Sequence, residues 1–126
     1  MESGDHTYEH LTEDITLVRV GGNELDEYTG PPLRELLVDL VNRGRFYMVV
    51  DLTTINYINS TGLGVLVGSL RRNRAHDGGL ALVVPKESVL KVLRITGLIK
   101  RFPIFDTVDP AVEHLGRNGP KTHVGQ

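Results

Sequence analysis

The stretch Met48-Val49-Val50-Asp51-Leu52, followed by Ile58-Asn59-Ser60-Thr61-Gly62-Leu63-Gly64-Val65-Leu66-Val67-Gly68, decides how the chain is read. An apolar, β-branched run leads through a polar turn into a glycine-rich helical segment, and two hydroxyls stand where that helix begins. Ser, Thr and Asn favour helix starts because their side chains accept hydrogen bonds from backbone N–H groups that lack a partner within the helix. The same N–H groups and the helix dipole also suit a phosphate. The stretch is therefore a plain cap at Asn59 or Ser60, or a phosphorylation switch at one of the two hydroxyls, Ser60 or Thr61. Spacing alone favours the plain cap.

Working outward, residues 46–52 form a nearly continuous apolar run, the pattern of a central strand covered on both faces. The helix after it runs to about His76, with Leu63, Leu66, Val67 and Leu70 as its apolar stripe and Arg71, Arg72 and Arg74 facing water near its end. Asp77-Gly78-Gly79 turns the chain into a second buried strand over 80–84. Pro85-Lys86-Glu87 then opens a helix whose Val89, Leu90, Val92 and Leu93 face inward, and Gly97 ends it. A short edge strand over 102–105 and a last helix from Asp109-Pro110 to about Leu115 complete this half, since Pro103 cannot donate to a ladder. Towards the N-terminus, 7–12 and 15–20 read as two strands joined by a hairpin turn, and the broken alternation at Val18 fits a strand buried on both faces. Gly21-Gly22-Asn23 is a turn, and Thr29 or Gly30 caps a helix with Pro31 and Pro32 in its first turn. Leu33, Leu36, Leu37, Leu40 and Val41 fall at helical spacing, and Arg43-Gly44 ends that helix.

The order β-β-α-β-α-β-α-β-α predicts an α/β fold with right-handed crossovers: one mixed, mostly parallel sheet of about four to five strands packed with about four helices. One domain over 6–116 is expected, with disordered tails at 1–5 and 117–126. The 126 residues are 40% apolar and 24% charged with a net charge of -2, enough for one core and without the basic signature of a nucleic-acid binder. There is no Cys, which excludes disulfides and thiolate chemistry. The polar, acidic first residues are unlike a signal peptide, and no apolar run approaches the roughly 20 residues that span a bilayer, so a cytoplasmic protein without membrane contact is expected.

Other chemistries have little support. Gly62, Gly64 and Gly68 are costly inside a helix and imply close packing against the sheet, which suits Gly64 and Gly68 one turn apart; a nucleotide loop would need glycine at position 67, where Val67 stands. Asp51 sits like a receiver-domain phosphoacceptor, but 18–23 supplies no acidic pair for a metal, so Asp51 reads as a turn cap. Ser60 lacks a hydrolase elbow, and His6, His10, His76, His114 and His123 are scattered rather than spaced as metal ligands. Asn59-Ser60-Thr61 fits the glycosylation pattern, which carries no weight without a secretory signal. No catalytic residue, metal or cofactor is expected.

Taken together with Leu25-Asp26 and Thr29-Gly30-Pro31-Pro32-Leu33-Arg34, the Asn59–Leu66 segment resembles the bacterial STAS-domain anti-anti-sigma factors, or anti-sigma factor antagonists. The similarity runs over about 15–112 and includes Leu93-Arg94-Ile95-Thr96-Gly97-Leu98 and Phe102-Pro103-Ile104-Phe105. The resemblance implies that Ser60 is phosphorylated by a partner that is both serine kinase and anti-sigma factor. It further implies that the unphosphorylated form binds this partner and frees a sigma factor, and that a metal-dependent serine phosphatase restores that form. Asp26, Asn59, Ser60, Thr61, Gly62 and Leu63 are the implied partner-binding residues, and direct DNA binding is not. Two positions depart from the family pattern: Asn59 stands where Asp precedes the serine, and Asn23 stands where Gly precedes the Glu-Leu-Asp run. A constitutive antagonist outside phosphorylation control and a STAS module that binds a nucleotide or lipid remain the alternatives.

Overall fold

The computed structural model describes residues 2–3 and 6–118. The elements run β1 (Glu2–Ser3), β2 (His6–His10), β3 (Ile15–Arg19), β4 (Glu24–Leu25), α1 (Gly30–Asn42), β5 (Tyr47–Asp51), β6 (Tyr57–Ile58), α2 (Ser60–Ala75), β7 (Gly79–Val83), α3 (Glu87–Ile95), a 3-10 turn (Leu98–Lys100), β8 (Ile104–Phe105) and α4 (Val108–Asn118). The main sheet has the order β1-β2-β3-β5-β7-β8. Its β1, β2 and β3 pair antiparallel and β3 to β8 pair parallel, so the mixed, mostly parallel α/β architecture is as the element order predicts. Glu2–Ser3 extends the sheet into the stretch read as an N-terminal tail. The tail expected over 117–126 lies outside the described residues from 119 onward.

Two cores follow from the period of two along the central strands. Val18 of β3, Met48 and Val50 of β5, and Leu80 and Leu82 of β7 face α1, α2 and α3. Ile15, Leu17, Val49, Ala81 and Val83 face α4 through Ala111 and Leu115. This explains why Met48 to Val50 and Leu80 to Val83 read as unbroken apolar runs: each of these positions is buried. Pro103 lies just before the edge strand, where its missing N–H is not needed and its carbonyl accepts from Leu82 N (2.9 Å).

Arg45 pins the N-terminal hairpin to the end of α1. Its Nε donates to Thr16 Oγ1 (2.8 Å), and its Nη atoms donate to the carbonyls of Glu13 (2.5 Å), Thr12 (2.9 Å) and Ile15 (3.2 Å). Gly44, at φ 87°, makes the left-handed turn that ends α1, and Arg45 N then closes back on Leu40 O (2.9 Å). Arg45→Ala strips a charged donor from four acceptors and is expected to lower stability by roughly 1–3 kcal/mol. A urea-unfolding midpoint unchanged from the unsubstituted protein would show the guanidinium contributes nothing.

Helix α2 differs from its sequence pattern. Gly62, Val65, Leu66, Ser69, Leu70 and Asn73 are buried, whereas Leu63 and Val67 are only half-buried. The helix rests on α1 as well as the sheet, and two of its inward positions are polar. Asn73 Nδ2 donates to Gly79 O (3.1 Å), and Ser69 Oγ accepts from Arg72 Nη2 (3.2 Å), which draws Arg72 to a half-buried position instead of into water. Apolar periodicity cannot register such residues. The glycines also trade places with expectation. A Cβ on Gly64 or Gly68 would meet nothing within 4 Å, so these two do not serve close packing; Gly62 does, with Leu25 O only 2.5 Å from where a Cβ would stand.

Candidate functional site

Two two-residue strands that the sequence gives no sign of build the site. β4 and β6 pair parallel, Glu24 opposite Tyr57 and Leu25 opposite Ile58, as a small second sheet. Asn56 N donates to Asn23 O (2.8 Å) and Asn59 N to Leu25 O (3.2 Å), continuing the contact on both sides. Leu25 and Ile58 are buried, so lone apolar residues in polar loops anchor the ribbon. The ribbon brings the loop after Leu25 against the start of α2, although the two are more than thirty positions apart in the chain. Gly62 allows this because its missing Cβ leaves room for the Leu25 backbone.

The α2 cap is Asn59. Its backbone is extended (φ -113°, ψ -172°) and its Oδ1 accepts from Gly62 N (3.2 Å), while Leu63 N donates to Asn59 O (2.9 Å). Asn59 Nδ2 donates to Glu27 Oε1 (2.7 Å). Ser60 and Thr61 form the exposed beginning of the helix, and the Ser60 hydroxyl is not used in the cap. Leu63 is half-buried against the core. Gly62 is buried and supports the surface without presenting one, and Asp26, also singled out in the sequence, is buried too, at 9% exposed.

Asp26 organises the facing loop. Its Oδ1 accepts from Tyr28 N (2.9 Å) and Thr29 N (3.1 Å) and lies 3.2 Å from Thr29 Oγ1, and Gly30 N donates to Asp26 O (2.7 Å). Thr29 caps α1 by position without a side-chain cap bond: its Oγ1 accepts from Asp26 N (3.0 Å), and its one hydroxyl proton goes to Glu24 O (2.8 Å). Beneath this loop lies His6, 1% exposed, with Nδ1 accepting from Gly21 N (3.0 Å) and Nε2 3.0 Å from Thr29 O. A backbone N–H can only donate, so Nδ1 is bare and the ring proton sits on Nε2, donating to the Thr29 carbonyl.

The Tyr28 and then the Thr29 backbone N–H hold the Asp26 carboxyl below its ordinary pKa, against an opposing effect of burial. A carboxylate whose folded pKa is lowered contributes stability that is present above its unfolded pKa and lost as pH falls through the folded value. Asp26→Asn keeps the Oδ1 acceptor but removes this titration. The stability gap between the unsubstituted protein and Asp26→Asn is therefore expected to shrink as pH falls below the usual carboxylate range, as read from urea melts. A gap constant with pH would contradict the assignment.

Asp51 caps its own turn, accepting from Thr53 N (2.9 Å) and from the Thr53 hydroxyl in a short bond, with Arg19 Nε 3.7 Å away. Lys86 goes to Asn56 Oδ1 (2.7 Å). Asp51 is thus a turn cap, as its sequence context predicts. Among the described residues no three His, Asp or Glu side chains are grouped to hold a metal ion. No helix of the described residues is long and apolar enough to cross a membrane. A cleft of about 200 Å³ lies away from the Asp26–Ser60 face, beside the last turns of α2, lined by residues that include Tyr47, Leu70, Arg74, Gly79 and His114.

The comparisons converge on one family. The model of the STAS domain matches residues 10–111. The chain belongs to the STAS-domain family. An anti-sigma-B factor antagonist of Staphylococcus epidermidis is 40% identical over 86 residues, covering 68% of this chain and 79% of that protein. The antagonist of Staphylococcus aureus is 38% identical over 81 residues, 64% of this chain and 74% of its own. Among solved structures, a candidate anti-sigma factor antagonist from Thermotoga maritima has a TM-score of 0.81 at 27% identity, covering 91% of this chain and 97% of that one. SpoIIAA in its unphosphorylated form shares the fold at a TM-score of 0.69 and 18% identity, covering 89% and 97%.

Proposed function

We propose that this STAS domain is an anti-sigma factor antagonist that acts by partner switching and has no catalysis of its own. Unphosphorylated, it binds in the cytoplasm to an anti-sigma factor that is also a serine kinase, and so releases a sigma factor. The kinase moves the γ-phosphoryl group of ATP to Ser60 Oγ; the hydroxyl loses its proton, ADP leaves, and the complex dissociates. A metal-dependent serine phosphatase hydrolyses the ester and restores the binding form. The names of the Staphylococcus relatives support the antagonist reading, and the structural neighbour SpoIIAA is known in a phosphorylated form.

One observation carries the switch: Asn59 caps α2, which leaves the Ser60 hydroxyl exposed and structurally unemployed. A kinase can modify it without removing a bond that the helix needs. The phosphate adds roughly -1.5 to -2 charges beside a loop that already carries Asp26 and Glu27. A desolvated partner surface fitted to the neutral hydroxyl would then face an unpaired dianion, a like-charge penalty of several kcal/mol. Incubation with the cognate kinase and ATP is expected to add a single phosphate, mapped by mass spectrometry to Ser60. A kinase active on another substrate that leaves Ser60 unmodified would favour the constitutive antagonist.

A further inference from the structure

The segment from Gly21 to Thr29 leaves the body of the domain after β3 and returns to it at α1, carrying β4 and the Asp26 turn, one half of the candidate site. Both ends of this excursion meet the same side chain. His6 of β2 accepts from Gly21 N at Nδ1 (3.0 Å) and donates from Nε2 to Thr29 O (3.0 Å). The ring is 1% exposed, so water cannot stand in for either bond. Inside the excursion the bonds are local. Asp26 Oδ1 holds Tyr28 N and Thr29 N, and Thr29 Oγ1 joins Asp26 N to Glu24 O. They set the shape of the turn but not its place on the domain. That place depends on the β4–β6 ribbon and the Asn59–Glu27 bond beside α2, on Thr54 Oγ1, which donates to Gly22 O (2.7 Å), and on His6 at the neck.

We propose that His6 is a positioning residue of the partner-binding site: its ring staples the two ends of the 21–29 segment, so that Asp26, Glu27 and Tyr28 are held against the start of α2 before a partner arrives. This rests on the reading of that face as the anti-sigma contact and adds to it a residue from beneath the face. A loop whose ends are bridged has fewer arrangements open to it than one tied along its sides alone. Ordering it in a complex then costs little, and the partner binds more tightly for that reason. His6 does not touch the partner; its influence runs through Gly21 N and Thr29 O.

Two substitutions in the full chain test the staple. His6→Leu keeps an apolar body and removes both bonds, whereas His6→Gln supplies an acceptor and a donor flanking one carbon, as the ring does. In His6→Leu the Gly21 amide is expected to exchange with solvent at least tenfold faster. The ¹⁵N order parameters of residues 22–28 are expected to fall from about 0.85 towards about 0.6. Affinity for the cognate anti-sigma partner, without ATP, is expected to drop at least tenfold. His6→Gln is expected to restore the order parameters and to bind within threefold of the unsubstituted chain. Arg45→Ala loosens the other end of β3 and is expected to leave affinity unchanged, which separates positioning from loss of stability. Rigid order parameters or undiminished affinity in folded His6→Leu would overturn the staple, as would an equal loss of affinity in Arg45→Ala. A Gly21 amide unprotected from exchange in the unsubstituted chain would overturn it without any variant. If the unsubstituted chain binds no anti-sigma partner, the functional reading fails, and the order parameters alone decide on His6.

Discussion

Gly62→Ala is expected to destabilise the domain by about 3 kcal/mol, the upper part of the range for overpacking a filled interior. A Cβ there would stand 2.5 Å from Leu25 O and 2.9 Å from both Ile58 Cγ1 and Leu25 Cγ. The first neighbour is backbone and cannot turn away, so β4 must move from β6 or α2 must lift. The same substitution at Gly64 or Gly68 meets nothing within 4 Å and has the opposite sign. There the helix gains roughly 0.5–1 kcal/mol, because alanine loses less backbone entropy than glycine. One helix and one chemical change thus separate close approach from conformational cost. Urea melts of the three variants check it, and equal effects at all three positions would contradict the packing account. Because the β4–β6 ribbon holds Asp26 against the helix start, Gly62→Ala should also weaken partner binding, although Gly62 itself is buried.

Ser60→Asp is expected to weaken binding to the anti-sigma partner at least tenfold, and authentic phosphoserine about a hundredfold or more. Each factor of ten corresponds to about 1.4 kcal/mol, so one unpaired dianion in a desolvated contact suffices. Asp carries one charge on a shorter side chain, hence the smaller effect. Ser60→Ala should bind as tightly as the unmodified chain and resist ATP-dependent release, because the hydroxyl takes no part in the cap. Pull-downs with the three baits and purified cognate partner measure this. Equal recovery by Ser60→Asp and Ser60→Ala would remove the charge from the mechanism.

How much of this was legible in the sequence depends on how each residue reports itself. The central strands were legible because Met48, Val49 and Val50, and again Leu80 to Val83, are covered on both faces and leave an unbroken apolar run. The α2 start was legible from Asn59-Ser60-Thr61, but which residue capped it was not. Asn and Ser are equally good caps, and only the Gly62 N to Asn59 Oδ1 bond separates them. The β4–β6 ribbon was hidden, since two residues per strand cannot show a period and Leu25 and Ile58 look like stray apolar residues in loops. For the same reason the grouping of Asp26 with Asn59 and Ser60 came from family resemblance and not from pattern. The α2 glycines misled because composition shows that glycine is costly there without showing which one meets a neighbour. Asn73 and Ser69, buried and polar, lie beyond any reading based on apolar spacing.

The most direct measurement is isothermal calorimetry of the cognate anti-sigma kinase, without ATP, against the unmodified chain and against the chain carrying phosphoserine at position 60. Tight binding of the unmodified chain, weakened about a hundredfold by the phosphate, is the predicted result. Equal affinity of the two forms would contradict the switch at Ser60.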